Sequence, residues 1–159
     1  YDFINYLIFF IIIIILLNLC NYLMLGDAGA YSLSFFVGYL IIKCHISNPN
    51  ISPYFFITLL WYPCYENLFS IIRKFKTKLS PLIPDNNHLH QLIYIRFKKK
   101  IIKNQLIANN VTSLLISFVN FIIILISSMN PYSSVYQIKL IIFSIILYSF
   151  TFIIIKKRL

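Results

Sequence analysis

The stretch Phe3-Ile4-Asn5-Tyr6-Leu7-Ile8-Phe9-Phe10-Ile11-Ile12-Ile13-Ile14-Ile15-Leu16-Leu17-Asn18-Leu19-Cys20-Asn21-Tyr22-Leu23-Met24-Leu25 is apolar almost throughout and carries five isoleucines in a row. Such a run is a poor water-soluble helix. In lipid every backbone polar group must bond within the chain, so a spanning helix is the viable form. A bilayer core takes about 20 apolar residues per helix, which this stretch supplies. The same reading predicts spans at about residues 30–45, 53–72, 106–127 and 135–155. The second is closed by Lys43, His45 and the turn residues Ser47-Asn48-Pro49-Asn50, the fourth by Asn130-Pro131, and the fifth by Lys156-Lys157-Arg158. The expected fold is all-α, a polytopic transmembrane helix bundle. It would be one membrane domain over residues 1–159, with about five spans of a larger bundle and a cytoplasmic loop over 73–105.

Composition supports this. The 159 residues are 60% hydrophobic and 11% charged, with mean hydropathy +0.82. Soluble domains run at about 45–50% and about 25%. A soluble enzyme and a disordered tail are thereby excluded. A disulfide scaffold is excluded too, because Cys20, Cys44 and Cys64 lie far apart inside apolar runs. The chain opens Tyr1-Asp2-Phe3 and enters the first span at once, with no basic n-region and no cleavage site. It is expected to be a piece of a longer chain, cut on the N-terminal side.

The net charge of +10 is distributed unevenly. With five spans, Arg73, Lys74, Lys76, Lys78, Arg96, Lys98, Lys99, Lys100, Lys103, Lys156, Lys157 and Arg158 fall on one side. Only Lys43 and Lys139 lie toward the other. By the positive-inside rule the first side is cytoplasmic. The basic clusters then serve as topology signals and anchors to membrane lipids. A nucleic acid is not expected as a partner, since the intervening aromatics belong to the spans.

The four acids are Asp2, Asp27, Glu66 and Asp85. The last three fall on or near the cytoplasmic face, and ionisable groups near spans are functional candidates by default. Asp27 sits among small residues in Leu25-Gly26-Asp27-Ala28-Gly29-Ala30-Tyr31, just before a helix. A helix N-terminus favours phosphate, and a carboxylate beside phosphate calls for Mg²⁺ between them. The alternative is a simple N-cap. Glu66 follows Pro63 and precedes Arg73 by seven residues, about 10 Å along a helix and on one face. The alternative is a structural ion pair of the two. His88 and His90 lie in Asp85-Asn86-Asn87-His88-Leu89-His90-Gln91, two apart, so they share a face where the backbone is extended. They could meet a phosphate or a metal, or be a loop pair without function. Zinc is disfavoured, because no cysteine or third histidine is near.

Taken together, these segments resemble one family. Leu25-Gly26-Asp27-Ala28-Gly29-Ala30-Tyr31 followed by Phe35 is similar to the "GDxGA/S…GF" segment of the polyprenyl-phosphate sugar-1-phosphate transferases, the membrane enzymes grouped as glycosyltransferase family 4. Pro63, Glu66 and Arg73 resemble their "P-x-x-D/E-x-x-x-x-x-x-R" helix. Ser80-Pro81, Pro84-Asp85 and His88-Leu89-His90-Gln91-Leu92 resemble their "SP…PD-x-x-HLH-x-L" cytoplasmic loop. Ser34, Asn86 and Gln91 depart from the pattern, standing where Gly, Arg and a third His are frequent.

The resemblance implies transfer of a sugar-1-phosphate from a UDP-sugar to polyprenyl phosphate, with release of UMP, for cell-surface polysaccharide synthesis. An N-acetylhexosamine donor is favoured. It implies catalytic roles for Asp27, His88 and His90, Mg²⁺ held by Asp27, and substrate contacts by Gly26, Gly29, Glu66, Arg73 and Asp85. It implies the bacterial cytoplasmic membrane, with the active-site loops and C-terminus facing the cytoplasm. A second copy of the chain is a candidate partner. The family's "DD" and "N-x-x-D-G" loops lie upstream of Tyr1, so the chain alone is expected to be inactive. The competing expectation is a non-catalytic multi-span protein, a transporter or assembly subunit, or a decayed gene fragment. Its scattered intramembrane asparagines would join helices in lipid.

Overall fold

The computed structural model describes residues 2–20, 22–23, 26–76 and 87–158, with side chains from residue 5 onward. All regular structure among them is helical, in seven elements. The chain divides into two compact units, residues 1–48 and 49–159.

The first unit holds α1 (Asp2–Leu19) and α2 (Gly26–Ser47). The expected first span reached Leu25, but α1 ends at Leu19. There the Tyr22 N–H turns back to the Leu17 carbonyl at 2.9 Å and closes the helix. The described apolar part of α1, Asn5–Leu19, is shorter than a typical span. Helix α2 buries none of its side chains, and Tyr31 and Phe35 stand 75% and 72% exposed. On a chain of this composition, that outward apolar surface suits lipid.

The second unit holds α3 (Pro53–Leu59), α4 (Trp61–Lys76), α5 (Leu89–Lys100), α6 (Gln105–Ser128) and α7 (Ser134–Lys157). Helices α2, α6 and α7 are long and apolar enough to cross a membrane. The α3–α4 pair is a fourth if it counts as one broken span.

Local chemistry explains the helix ends. The Asn104 side chain accepts from Leu106 N–H at 3.0 Å and Ile107 N–H at 3.4 Å, capping α6. The Ser133 hydroxyl accepts from Tyr136 N–H at 3.3 Å and caps α7. Asx and Ser oxygens satisfy helix N–H groups that have no partner of their own. Lys98, Lys99 and Lys100 end α5, and Lys156 and Lys157 end α7, where the helix dipole favours cations.

The expected single span over 53–72 is instead two helices that meet at 73° across Leu60. Pro63 is the cause, acting three residues earlier than its own position. Its ring excludes the carbonyl four residues back, and it lacks an N–H. Both costs vanish if a new helix begins at Trp61, because Pro63 then sits in a first turn whose N–H groups are unpaired anyway. Leu60 ends α3 with its N–H on the Ile57 carbonyl at 3.2 Å.

Gln137 of α7 fastens this end of the unit. It is wholly buried. The hydroxyls of Thr58 and Ser127 donate to its Oε1 at 3.1 and 2.7 Å. Its Nε2 donates to the Ser127 and Asn130 carbonyls at 2.9 and 3.0 Å. The amide thus joins α3, α6 and the turn before α7 with every polar atom satisfied, which is the arrangement that stabilises helices in lipid. Gln137→Leu keeps the volume and removes all four bonds. It should lower resistance to unfolding by denaturing detergent by about 2 kcal/mol. An unchanged unfolding curve would show that packing alone joins these helices.

The apolar core lies toward the other end. Trp61, Leu89, Leu92, Ile93, Ile123, Leu140, Tyr148 and Phe152 are buried together. Tyr148 packs edge-on against Tyr65 and Phe69, with ring centres at 5.1 and 5.4 Å, and Phe69 against Phe152 at 4.8 Å. This aromatic layer fixes α7 to α4, and so sets where the polar residues of α4 point.

Candidate functional site

The polar centre of the second unit is Glu66, whose side chain is only 7% exposed. Its Oε1 accepts from the Leu89 backbone N–H at 2.8 Å. The Nδ1 atoms of His90 and His88 lie 3.3 and 3.5 Å from the same oxygen. The hydroxyls of Tyr62 and Tyr148 approach this carboxylate as well. Tyr62 comes from one turn earlier on α4, the spacing that stacks two side chains on one helix face. Its hydroxyl is buried beside the carboxylate.

The helix start explains the convergence. His88 is the N-cap of α5, with extended backbone at φ −73° and ψ 150°. Gln91 reaches back to accept the His88 N–H at 3.2 Å. The next N–H, that of Leu89, goes to Glu66. A carboxylate at a helix N-terminus is favoured by the dipole, here supplied by a different helix. Because His88 is extended and His90 helical, their rings come together, stacked 5.6 Å apart at 18°. The expected extended segment is confined to His88, since Leu89 and His90 are already helical.

With Nδ1 of each imidazole turned to Glu66, Nε2 is the nitrogen left for an outside partner. A carboxylate on one ring nitrogen fixes the tautomer and orientation of the other. His90 is 50% exposed and His88 24%. Burial pushes His88 below the usual histidine range. Glu66 pulls the opposite way, but burial together with His90, Arg73 and Lys74 outweighs it. The folded protein therefore keeps His88 neutral where the unfolded chain takes up a proton. This favours the fold above the ordinary histidine pKa of about 6.5, and the advantage is lost as pH falls through that value. The thermal midpoint in detergent should fall on acidification below about pH 6.5, and His88→Gln should flatten that part of the fall. An identical slope in the variant would remove His88 from the effect.

Arg73 braces the same corner. Its Nη1 donates to the Asn87 carbonyl at 2.7 Å, beside the α5 cap. Its guanidinium lies 5.4 Å from the Phe152 ring centre and 5.9 Å from that of Phe69. The structure thus gathers Glu66, Arg73, His88 and His90, four of the residues singled out in the sequence. Three participants carried no clear sequence signal: the Leu89 N–H, Tyr62 and Tyr148. Helix α5 itself lay inside the expected loop. The His88-x-x-Gln91 spacing before Leu92 and Ile93 is its legible trace, a capping-box pattern.

Gly26, Asp27 and Gly29 belong to the first unit. Helix α2 begins at Gly26, so Asp27 lies exposed in the first turn and is not the N-cap. Gly26 has φ +61°, the left-handed region that glycine tolerates best. An added Cβ there would meet nothing within 4 Å, so the backbone angle and not crowding calls for glycine. Asp85, with Ser80, Pro81 and Pro84, lies outside the described residues.

Among the described residues no group of three His, Cys, Asp or Glu side chains is arranged to hold a metal ion. Glu66 and the two histidines spend their facing atoms on one another. Asp27 offers one accessible carboxylate. That fits Mg²⁺ of the kind that takes one or two carboxylates and fills its remaining positions with phosphate oxygens and water.

Comparison of the chain with protein-family models, curated proteins and solved structures returns no match.

Proposed function

We propose that this chain is the C-terminal part of a membrane transferase that moves a sugar-1-phosphate, an N-acetylhexosamine-1-phosphate, from a UDP-sugar to polyprenyl phosphate, releasing UMP. The observation that carries this reading is the contact of Glu66 with both His88 and His90. Glu66 comes from the segment that resembles the family's "P-x-x-D/E" helix, and the histidines from its "HLH" loop. Two segments 22 residues apart in sequence, from Glu66 to His88, serve one arrangement. A chance likeness of each segment separately would not require them to meet.

In this reading the bundle has five spans in a bacterial cytoplasmic membrane, oriented by the twelve-to-two charge asymmetry, with the histidines on the cytoplasmic side. Glu66 acts through the histidines. It holds both rings by Nδ1 and leaves Nε2 toward the incoming diphosphate. Arg73 steadies the backbone just before the cap and keeps the local charge positive, which suits an anionic donor. Asp27, with the substrate phosphates, would hold Mg²⁺, which when bound neutralises the two anions that must meet, and Asp85 would contact the substrate. Gly26 and Gly29 keep side chains away from the phosphate approach. The upstream loops complete the site, so the 159-residue chain alone is inactive.

The test is a transfer assay on the complete protein with a panel of UDP-sugars and polyprenyl phosphate. UMP release and a lipid-linked product with one N-acetylhexosamine donor are expected. Absence of UMP release with every donor, in well-folded protein with Mg²⁺, would overturn the reading. UMP release by the 159-residue chain alone would overturn the predicted dependence on the upstream loops.

A further inference from the structure

A half-open cavity of about 450 Å³ lies in the second unit, walled by α4, α5, α6 and α7. That is within the usual range for small-molecule sites, about 300–1,000 Å³. Its surface is almost entirely apolar, contributed by residues such as Ile93, Phe97, Val119 and Ile155. Two features separate it from an ordinary packing gap. The first is Arg96, which lines the cavity half-buried. Among the described residues its guanidinium makes no hydrogen bond or ion pair. A cation held at the rim of apolar surface is costly without an anion. The second is the charge of the helix end: the exposed Lys98, Lys99 and Lys100 follow Arg96 at the end of α5.

One occupant answers both features. An anionic head satisfies Arg96, and a hydrocarbon chain fills the apolar space. We propose that the cavity holds one acyl chain of an anionic glycerophospholipid of the bilayer, with its phosphate on Arg96. Those three lysines raise the local concentration of anionic lipid. The proposal concerns a different set of atoms from the Glu66 centre and stands whether or not the chain is a transferase.

Trp61 is the only tryptophan of the chain and stands in the cavity wall, so it reports directly on what enters. The chain is reconstituted in phosphatidylcholine vesicles with increasing brominated phosphatidylglycerol, or with brominated phosphatidylcholine for comparison. The brominated phosphatidylglycerol should reach half-maximal quenching of Trp61 at a mole fraction at least about fivefold lower. Arg96→Gln should abolish that preference, Arg96→Lys should retain part of it, and Lys100→Gln should weaken it less than Arg96→Gln does. Equal quenching by the two lipids overturns the proposal. So does a preference that survives in Arg96→Gln, or is lost equally in Arg96→Lys. Relief of the quenching by polyprenyl phosphate at a mole fraction equal to that of the phosphatidylglycerol also overturns it, by assigning the cavity to that lipid. If Arg96→Gln does not fold, Val119→Phe is the second variant. It fills the cavity and should weaken quenching by both lipids, and unchanged quenching there counts against occupancy.

Discussion

Asp27→Asn in the complete protein should lower transfer by at least about a hundredfold while the protein still inserts, folds and purifies. The effects on folding and on catalysis are separable. Asp27 is exposed in the first turn of α2, so its carboxylate contributes to the fold mainly through the helix dipole. That contribution is about 0.3–1 kcal/mol at an exposed position. Asparagine has the same shape and is tolerated at a helix start. Catalysis is far more sensitive. If Asp27 brings a cation to a pair of anionic reactants, removing its charge removes stabilisation where charge is greatest. Losses on the order of 10²–10³ follow when such groups are deleted. The expected signature is a fall in kcat together with a weaker dependence on Mg²⁺. Turnover within a fewfold of the parent would remove Asp27 from the reaction and weaken the transferase reading.

The largest stability effect should come from Glu66→Leu, about 3 kcal/mol. Leucine fits the volume but accepts no hydrogen bond. The buried Leu89 N–H then loses its partner outright, and the His90 and His88 Nδ1 groups lose the oxygen they share. An unsatisfied buried donor costs about 1–3 kcal/mol, and bonds to a charged acceptor stand at the upper end. Glu66→Gln keeps an acceptor for Leu89 and removes the charge, so it should cost only about 1 kcal/mol. Unfolding of the two variants by denaturing detergent distinguishes a structural from a purely catalytic Glu66. Both should also disturb His88 and His90, visible as altered imidazole resonances. A change under about 0.5 kcal/mol in Glu66→Leu would show that the α5 start does not depend on this carboxylate.

The spans that were legible owe that to local signals. Helices α6 and α7 begin and end within two residues of their expected bounds, because apolar length and the Asn130-Pro131 turn are read from neighbouring residues. The turn after α2 was legible for the same reason. Helix α5 was not, because its start rests on an acceptor that lies 23 residues away in sequence. The bend at Leu60 was displaced from Pro63, because the proline selects a helix start and not a kink at its own position. The apolar run after Leu19 failed to continue α1 even though its hydropathy allowed it.

The amino-acid sequence alone determined that this protein is a helical membrane chain, since hydropathy and helix caps act over a few residues and survive any tertiary arrangement. It also singled out Glu66, Arg73, His88 and His90 as candidates, because charged and imidazole groups stand out against an apolar chain. Only the tertiary structure decided that these four share one corner, and that a single oxygen of Glu66 serves the α5 backbone and two imidazoles at once. It alone revealed that Arg96 borders an apolar cavity. Which donor meets which acceptor depends on where whole helices come to rest. That is settled by the packing of side chains far apart in sequence, such as Phe69 against Phe152, and no local pattern encodes it.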